Sequence, residues 1–234
     1  MAKQPKNHKA TPFLGTKLYV QTGVSEETAV TAVTLQPATV TVEGGKFKTD
    51  DMIVLSGLGD LDGRYPVAQA DGNTITLCDE VDWSEKTQPE DLSEAKAQRV
   101  LWANNFCAVK SFSKDGATTE QVDVTTICSD GKEFEPGDTD YGTIKLTFFL
   151  RYGTSEVQRL LRRYENNKEK FAVKMVLTRD EGTIFYYGSI ETGMNIEGSV
   201  GQMVDSGVSV KLSGRDYLNV PQSKTQEPEP TPKP

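Results

Sequence analysis

The chain has 234 residues, enough to bury a real core in one elaborated domain or in two small ones. Hydrophobic residues make up only 36% and charged residues 26%, the balance of a chain with arms, loops or surfaces that become covered on assembly. The net charge of −8 and the pI near 4.9 disfavour a nucleic-acid binder that works through phosphate contacts.

Three scattered cysteines, Cys78, Cys107 and Cys128, occur without a C-x-x-C, and His8 is the one histidine. They read as free, buried thiols of a protein made in a reducing compartment. The N-terminal stretch has lysines but no apolar segment behind them, so it does not read as a signal peptide. No apolar run approaches the ~20 residues of a membrane span, so no membrane partner is expected.

In chain order, residues 1–12 read as a basic arm carrying Lys3, Lys6 and Lys9, either frayed or docked on an acidic neighbour. TKLYVQ, residues 16–21, alternates and begins the first strand; residues 24–34 continue it or form its hairpin partner. A separate module is expected over 35–98, with short strands near 39–42, 52–55, 65–68 and 74–77. Asp71-Gly72 predicts a type I′ hairpin, and strands this short predict a small open barrel or sandwich. An acidic, proline-containing stretch, Asp79–Lys96, closes the module, with a helical turn expected over residues 91–94. Asp60 and Asp62 before Gly63 echo a calcium loop, but the other ligand positions are missing, which leaves turn chemistry.

The main fold resumes near Val100, with strands expected at 106–112 and 122–128 about the polar turn Lys114-Asp115-Gly116. Next comes an expected loop, Ser129–Tyr141, carrying Asp130, Glu133, Glu135, Asp138 and Asp140. Its carboxylates lack metal-ligand spacing, so a solvated or partner-facing loop is the expectation.

The stretch from Gly142 to Thr192 changes period three times. Ile144, Leu146, Phe148 and Leu150 alternate as a strand. Val157, Leu160, Leu161 and Tyr164 fall on one helical stripe, with Ser155 and Gln158 spaced as a capping box and Asn166-Asn167 as a stop. Phe171, Val173, Met175 and Leu177 alternate again, and the turn at 179–182 leads into Ile184, Tyr186 and Ile190. The helix carries Arg159, Arg162 and Arg163, with Lys168 and Lys170 following. This basic cluster is either a solvated face or the partner of a neighbour's acidic loop. Two more strands are expected at 193–200 and 205–212, and the proline-rich end from Pro221 lacks core residues.

Enzyme motifs are missing. The sequence has no G-x-S-x-G, no G-x-x-x-x-G-K-[ST], no G-x-G-x-x-G after a strand and no H-E-x-x-H. No catalytic residue, metal or cofactor is therefore expected. A carbohydrate-binding virion module with Trp83 or Trp102 as a stacking platform is the alternative from another class.

The stretch from Val122 to Leu218, with FAVKMVL at 171–177, GTIFYYGSI at 182–190 and SVKLSGR at 209–215, resembles the major tail tube proteins of long-tailed, siphophage-type bacteriophages. The order of elements matches as well: a strand into an acidic loop, a strand to a single helix, two strands and a last pair. TKLYVQ fits near the start, so the resemblance covers about residues 11–23 and 106–217. It implies a mainly β fold, a tail-tube β-sandwich or partly closed barrel with one flanking α-helix, plus a small inserted β domain. The core would be residues 13–34 and 99–220, the insertion 35–98, the arm 1–12 and the tail 221–234. By the same resemblance, subunits join sheet edges into rings, usually of six, that stack into a tube for phage DNA. The implied partners are other copies of the chain, a tape-measure protein and tail terminator or tip proteins, with DNA passing the lumen unbound. The implied location is the virion tail, assembled in the host bacterial cytoplasm. Asp130, Glu133, Glu135, Asp138 and Asp140 would meet the next ring, with Arg159, Arg162 and Arg163 as candidate mates. The tube of a contractile tail or injection system is the related alternative.

Overall fold

The computed structural model describes residues 10–44 and 46–221. The expected arm over residues 1–9 and the expected tail over 222–234 lie outside the described residues. The fold is mainly β, antiparallel, with one α-helix among the described residues. The strands up to residue 102 are β1 (Lys17–Val24), β2 (Thr28–Thr34), β3 (Thr39–Val42), β4 (Met52–Ser56), β5 (Gly63–Asp71), β6 (Thr74–Leu77) and β7 (Lys96–Trp102). There follow β8 (Val109–Lys114), β9 (Thr118–Asp123), β10 (Phe134–Asp140), β11 (Thr143–Phe149), α1 (Glu156–Asn167), β12 (Lys170–Val176), β13 (Thr183–Glu197), β14 (Asp205–Leu212) and β15 (Tyr217–Asn219).

The chain divides into two compact units. The first takes the described residues up to Trp102, then Lys174–Phe185, then Tyr217 onward; the second takes Ala103–Val173 and Tyr186–Asp216. In the first unit the hydrogen-bonded order β2-β3-β6-β5-β4-β7 returns from β7 to β2, a closed ring of six antiparallel strands. Closure leaves the ring no free edge. Every second side chain points inward, so Val40, Val42, Ile53, Leu55, Val67, Ile75 and Leu77 fill the barrel with Trp83. Segment 35–98 supplies four whole strands and the first three residues of β7; β2 and the rest of β7 flank it. The seam is Thr28 opposite Ala97 and Ala29 opposite Lys96. β7 then leaves the ring, and its end pairs with β1, Trp102 opposite Gln21.

The hairpin between β5 and β6 turns on Gly72 and Asn73, with Asp71 opposite Thr74. Only Gly72 of that pair has positive φ, +59°. That is the pattern of a type II′ turn, not the type I′ expected with Asp71 at its centre. Residues 91–94 form a turn without a helical element. The Asp60–Asp62 region is a short 3-10 turn in which the Asp62 carboxylate accepts from Leu58 N at 2.7 Å, the turn chemistry expected.

In the second unit the strand order is β13-β14-β11-β8. Ile144 opposes Val210 and Leu146 opposes Val208, all buried, and Phe106 packs on Phe148 with centroids 5.0 Å apart. α1 lays Val157, Leu160, Leu161 and Tyr164 inward, and the Tyr164 ring stacks on Phe171 at 4.5 Å. The expected strand at 193–200 is instead the far end of β13, a single strand of 15 residues.

The start of α1 is half of the expected capping box. Ser155 Oγ accepts from Gln158 N at 3.3 Å. The Gln158 amide does not reach back to Ser155, as a capping box requires; it turns inward, fully buried. There Nε2 donates to Phe149 O and Oε1 accepts from Arg151 N, each at 2.8 Å. The helix stops after Asn167, where Lys168 takes the left-handed conformation at φ +57°.

Candidate assembly interface

The segment expected as a loop at 129–141 is mostly a strand. β10 pairs with β9 in a two-stranded ribbon that joins no other strand. All six residues of β9 are exposed, and β10 buries none. Phe134 opposes Asp123 and Glu135 opposes Val122, so Val122, Glu120 and Glu135 share one face and Phe134 the other. Gly137 makes room on the first face: a Cβ there would lie 2.9 Å from a Val122 methyl. A two-stranded ribbon with no core of its own is marginal in water. Yet this one presents Val122, Phe134 and, at its tip, a fully exposed Ile127.

Local polar bonds shape the tip. Asp123 accepts from Thr125 N at 2.9 Å, and bonding from the Thr125 side chain and then its backbone holds the carboxyl below the usual range. Ser129 Oγ donates to Glu133 at 3.0 Å, and Glu133 N donates to Thr125 Oγ1 at 3.0 Å. At the base, Asp140 accepts from Lys211 at 2.6 Å and from Gly142 N at 2.8 Å. The Lys211 bond is the main reason its pKa is lowered. Asp140 is therefore engaged within its own chain, and Glu133 in part. Asp130, Glu135 and Asp138 enter no ion pair among the described residues.

The predicted basic cluster lies on the exposed side of α1. Arg159 Nη1 donates to Tyr152 O at 3.3 Å and to Gly153 O at 3.2 Å. The Arg162 guanidinium sits 5.7 Å from the centre of the Tyr152 ring, and Arg163 lies 5.3 Å from that of Tyr164. Among the described residues no salt bridge joins Arg159 or Arg162 to the ribbon acids.

Two further surfaces escaped sequence reasoning. β8 ends its strand order, pairing only with β11, and its Lys110 and Lys114 bind Asp205 and Asp216. Lysines on an edge strand are a common guard against uncontrolled pairing. The turn between β13 and β14 exposes Ile196, Val200 and Met203. Its only signal was apolar residues inside a glycine-containing turn. The charge is also unevenly spread. Residues 35–98 hold 13 acids and 5 bases, which accounts for the whole net charge of −8, and the rest of the chain holds 21 of each.

Trp83 is buried in the barrel with its ring edge-on to Tyr65 at 5.3 Å, which leaves no face for a sugar. Trp102 packs against Phe185, and the Lys174 ammonium lies about 6.0 Å from its ring centre. Lys174 also donates to Asp50 O, and burial lowers its pKa. Of the cysteines, Cys78 is buried as expected, with its thiol pushed up to about 11 by desolvation. Cys107 and Cys128 are exposed, against expectation, because both sit in turns that no strand covers. Among the described residues no group of three or more His, Cys, Asp or Glu side chains is placed to hold a metal ion, and no helix is long and apolar enough to cross a membrane.

Fold and surface together define a mainly β protein whose distinguishing features are an uncovered ribbon, an open sheet edge and a closed barrel. The sequence matches no protein-family model and no curated protein. Among solved structures the chain is similar to the SPP1 tail tube determined by solid-state NMR and cryo-EM. That match has 15% identity and a TM-score of 0.38 over 60% of this chain and 72% of that one. It is also similar to a chain from the virion of a native gene transfer agent particle, at 15% identity and TM-score 0.40 over 50% of this chain and 88% of that one. A third similarity is to the tail of an empty gene transfer agent particle refined with C6 symmetry, at 16% identity and TM-score 0.40 over 50% and 85%.

Proposed function

We propose that this chain is a structural virion protein, a tail tube subunit that assembles with copies of itself into stacked rings of six around a channel for DNA. The sequence resemblance over residues 11–23 and 106–217 motivates the reading. The observation that carries it is the β9–β10 ribbon, exposed on both faces yet bearing Val122, Ile127 and Phe134. A chain that keeps such a ribbon as a monomer leaves apolar surface in water; a chain that assembles covers it. The β8 edge is the second surface for joining copies. Outside residues 35–98 the chain is neutral, so a wall built from that part gives DNA no net attraction. Segment 35–98, with its surplus of acids, stands as an inserted decoration outside the channel. The tape-measure and terminator proteins are the further partners of this reading, and the virion tail, built in the host cytoplasm, is its place.

Sedimentation velocity over a concentration series tests it, with wild type beside a variant in which residues 120–138 are replaced by a short Gly-Ser turn. Wild type is expected to form particles much larger than a monomer, and the trimmed variant to remain a folded monomer. A trimmed variant that assembles like wild type refutes the role of the ribbon. A wild type that stays monomeric, even when seeded with tail extract, refutes the tube reading.

A further inference from the structure

We infer that the ribbon of one subunit seats on the arginine face of α1 in a second copy, a head-to-tail contact that rests on the tube reading above. Residues 118–140 carry seven acids and one base, and residues 151–170 carry six bases and three acids. Pairing ribbon with ribbon would set two strongly acidic surfaces against each other, so a two-fold symmetric contact through this element is disfavoured. The basic face is the complementary surface on the same chain.

The geometry of that face is prepared for carboxylates. Arg159 is fastened by one nitrogen to Tyr152 O and Gly153 O, and Arg162 lies over the Tyr152 ring. Both guanidinium groups are thereby ordered before binding, with further N–H groups left to donate. Ordered arginines lose less side-chain entropy when they capture Glu or Asp. Tyr152 is 41% exposed and offers an apolar plate beside the charges. On the ribbon, Val122 shares its face with Glu120 and Glu135, the matching combination of one apolar anchor flanked by carboxylates. Asp140 takes no part, since Lys211 holds it within its own chain. A head-to-tail contact leaves a free ribbon at one end and a free helix face at the other, so growth stays open.

A charge-swap experiment tests the pairing. The ribbon variant is Glu135→Lys with Asp138→Lys, and the helix variant is Arg159→Glu with Arg162→Glu. Each alone is expected to raise the critical concentration for assembly about tenfold or more. An equimolar mixture is expected to assemble again, because the acidic ribbon of one variant meets the basic helix of the other, and the reverse. A neutral variant, Arg159→Gln with Arg162→Gln, guards against misfolding of the reversals; it is expected to raise the critical concentration and flatten its salt dependence. Reversed variants that assemble at the wild-type concentration overturn the pairing. So does a mixture that fails to recover while both variants keep wild-type circular dichroism and melting. Failure of wild type to assemble sinks the tube reading itself and is distinguishable from either result.

Discussion

Replacing Gln158 by Leu tests how the interface helix is held. The Gln158 amide is fully buried and serves two backbone groups, Phe149 O and Arg151 N, each at 2.8 Å. These groups sit at the end of β11 and in the segment that joins it to α1, so they fix where the helix starts. Leu has nearly the same volume but can neither donate to Phe149 O nor accept from Arg151 N. Each partner stranded in a half-buried site costs about 1–3 kcal/mol. Added apolar burial returns roughly 1 kcal/mol, for a net loss of about 1–5 kcal/mol. Urea unfolding followed by circular dichroism reads this directly. At a slope of about 2 kcal/mol per molar, the midpoint should fall by about 0.5–2.5 M. Ser155→Ala, which removes only the cap bond, should cost about 0.5–2 kcal/mol. A Gln158→Leu midpoint within about 0.3 M of wild type would show that water or a shifted backbone serves those groups, and the reasoning would fail.

In native protein a chromogenic disulfide reagent should titrate Cys107 and Cys128 quickly and reach Cys78 only on unfolding; three fast thiols would contradict the packing around Cys78. Lys174 has a folded pKa below its unfolded value of 10.5, so the unfolded chain holds the proton more tightly. Wild-type stability should therefore rise, relative to Lys174→Met, as pH climbs from the folded pKa towards 10.5. Parallel pH profiles of unfolding for the two proteins would contradict that. Excising Glu26–Gln98 and joining Ser25 to Arg99, whose backbones already meet at 2.8 Å, should leave a soluble chain that unfolds cooperatively. Excising 35–98 instead strips the neighbours from Val30 and Val33 and should aggregate; aggregation of both refutes the insertion.

The elements legible in the sequence were those with one buried face. β11, α1 and β14 each bury one side, so Ile144, Leu146 and Phe148, or Val157, Leu160 and Leu161, announce their period. The β10 half of the ribbon read as a loop, and the β9 half as a strand displaced to 122–128, because neither face of the ribbon is buried and no alternation marks Glu120–Asp123 or Phe134–Asp140. Closure of the barrel was hidden for a different reason. The β2–β7 seam pairs residues nearly 70 positions apart, and no local pattern reports such a contact. Gln158 matched a capping box by spacing, yet burial of its amide outweighed the return bond to Ser155. The acids of the candidate interface were visible as a charge run, but Asp140 could be set apart from Glu135 and Asp138 only once Lys211 was seen beside it.

The most direct test of the central claim is electron microscopy of the purified wild-type protein across a concentration and salt series, with tail extract added as a seed. The account predicts rings or hollow tubes of uniform diameter with a central channel, fewer as salt rises and screens the ribbon contact. Particles that remain single subunits under every condition, seeded or not, would contradict it.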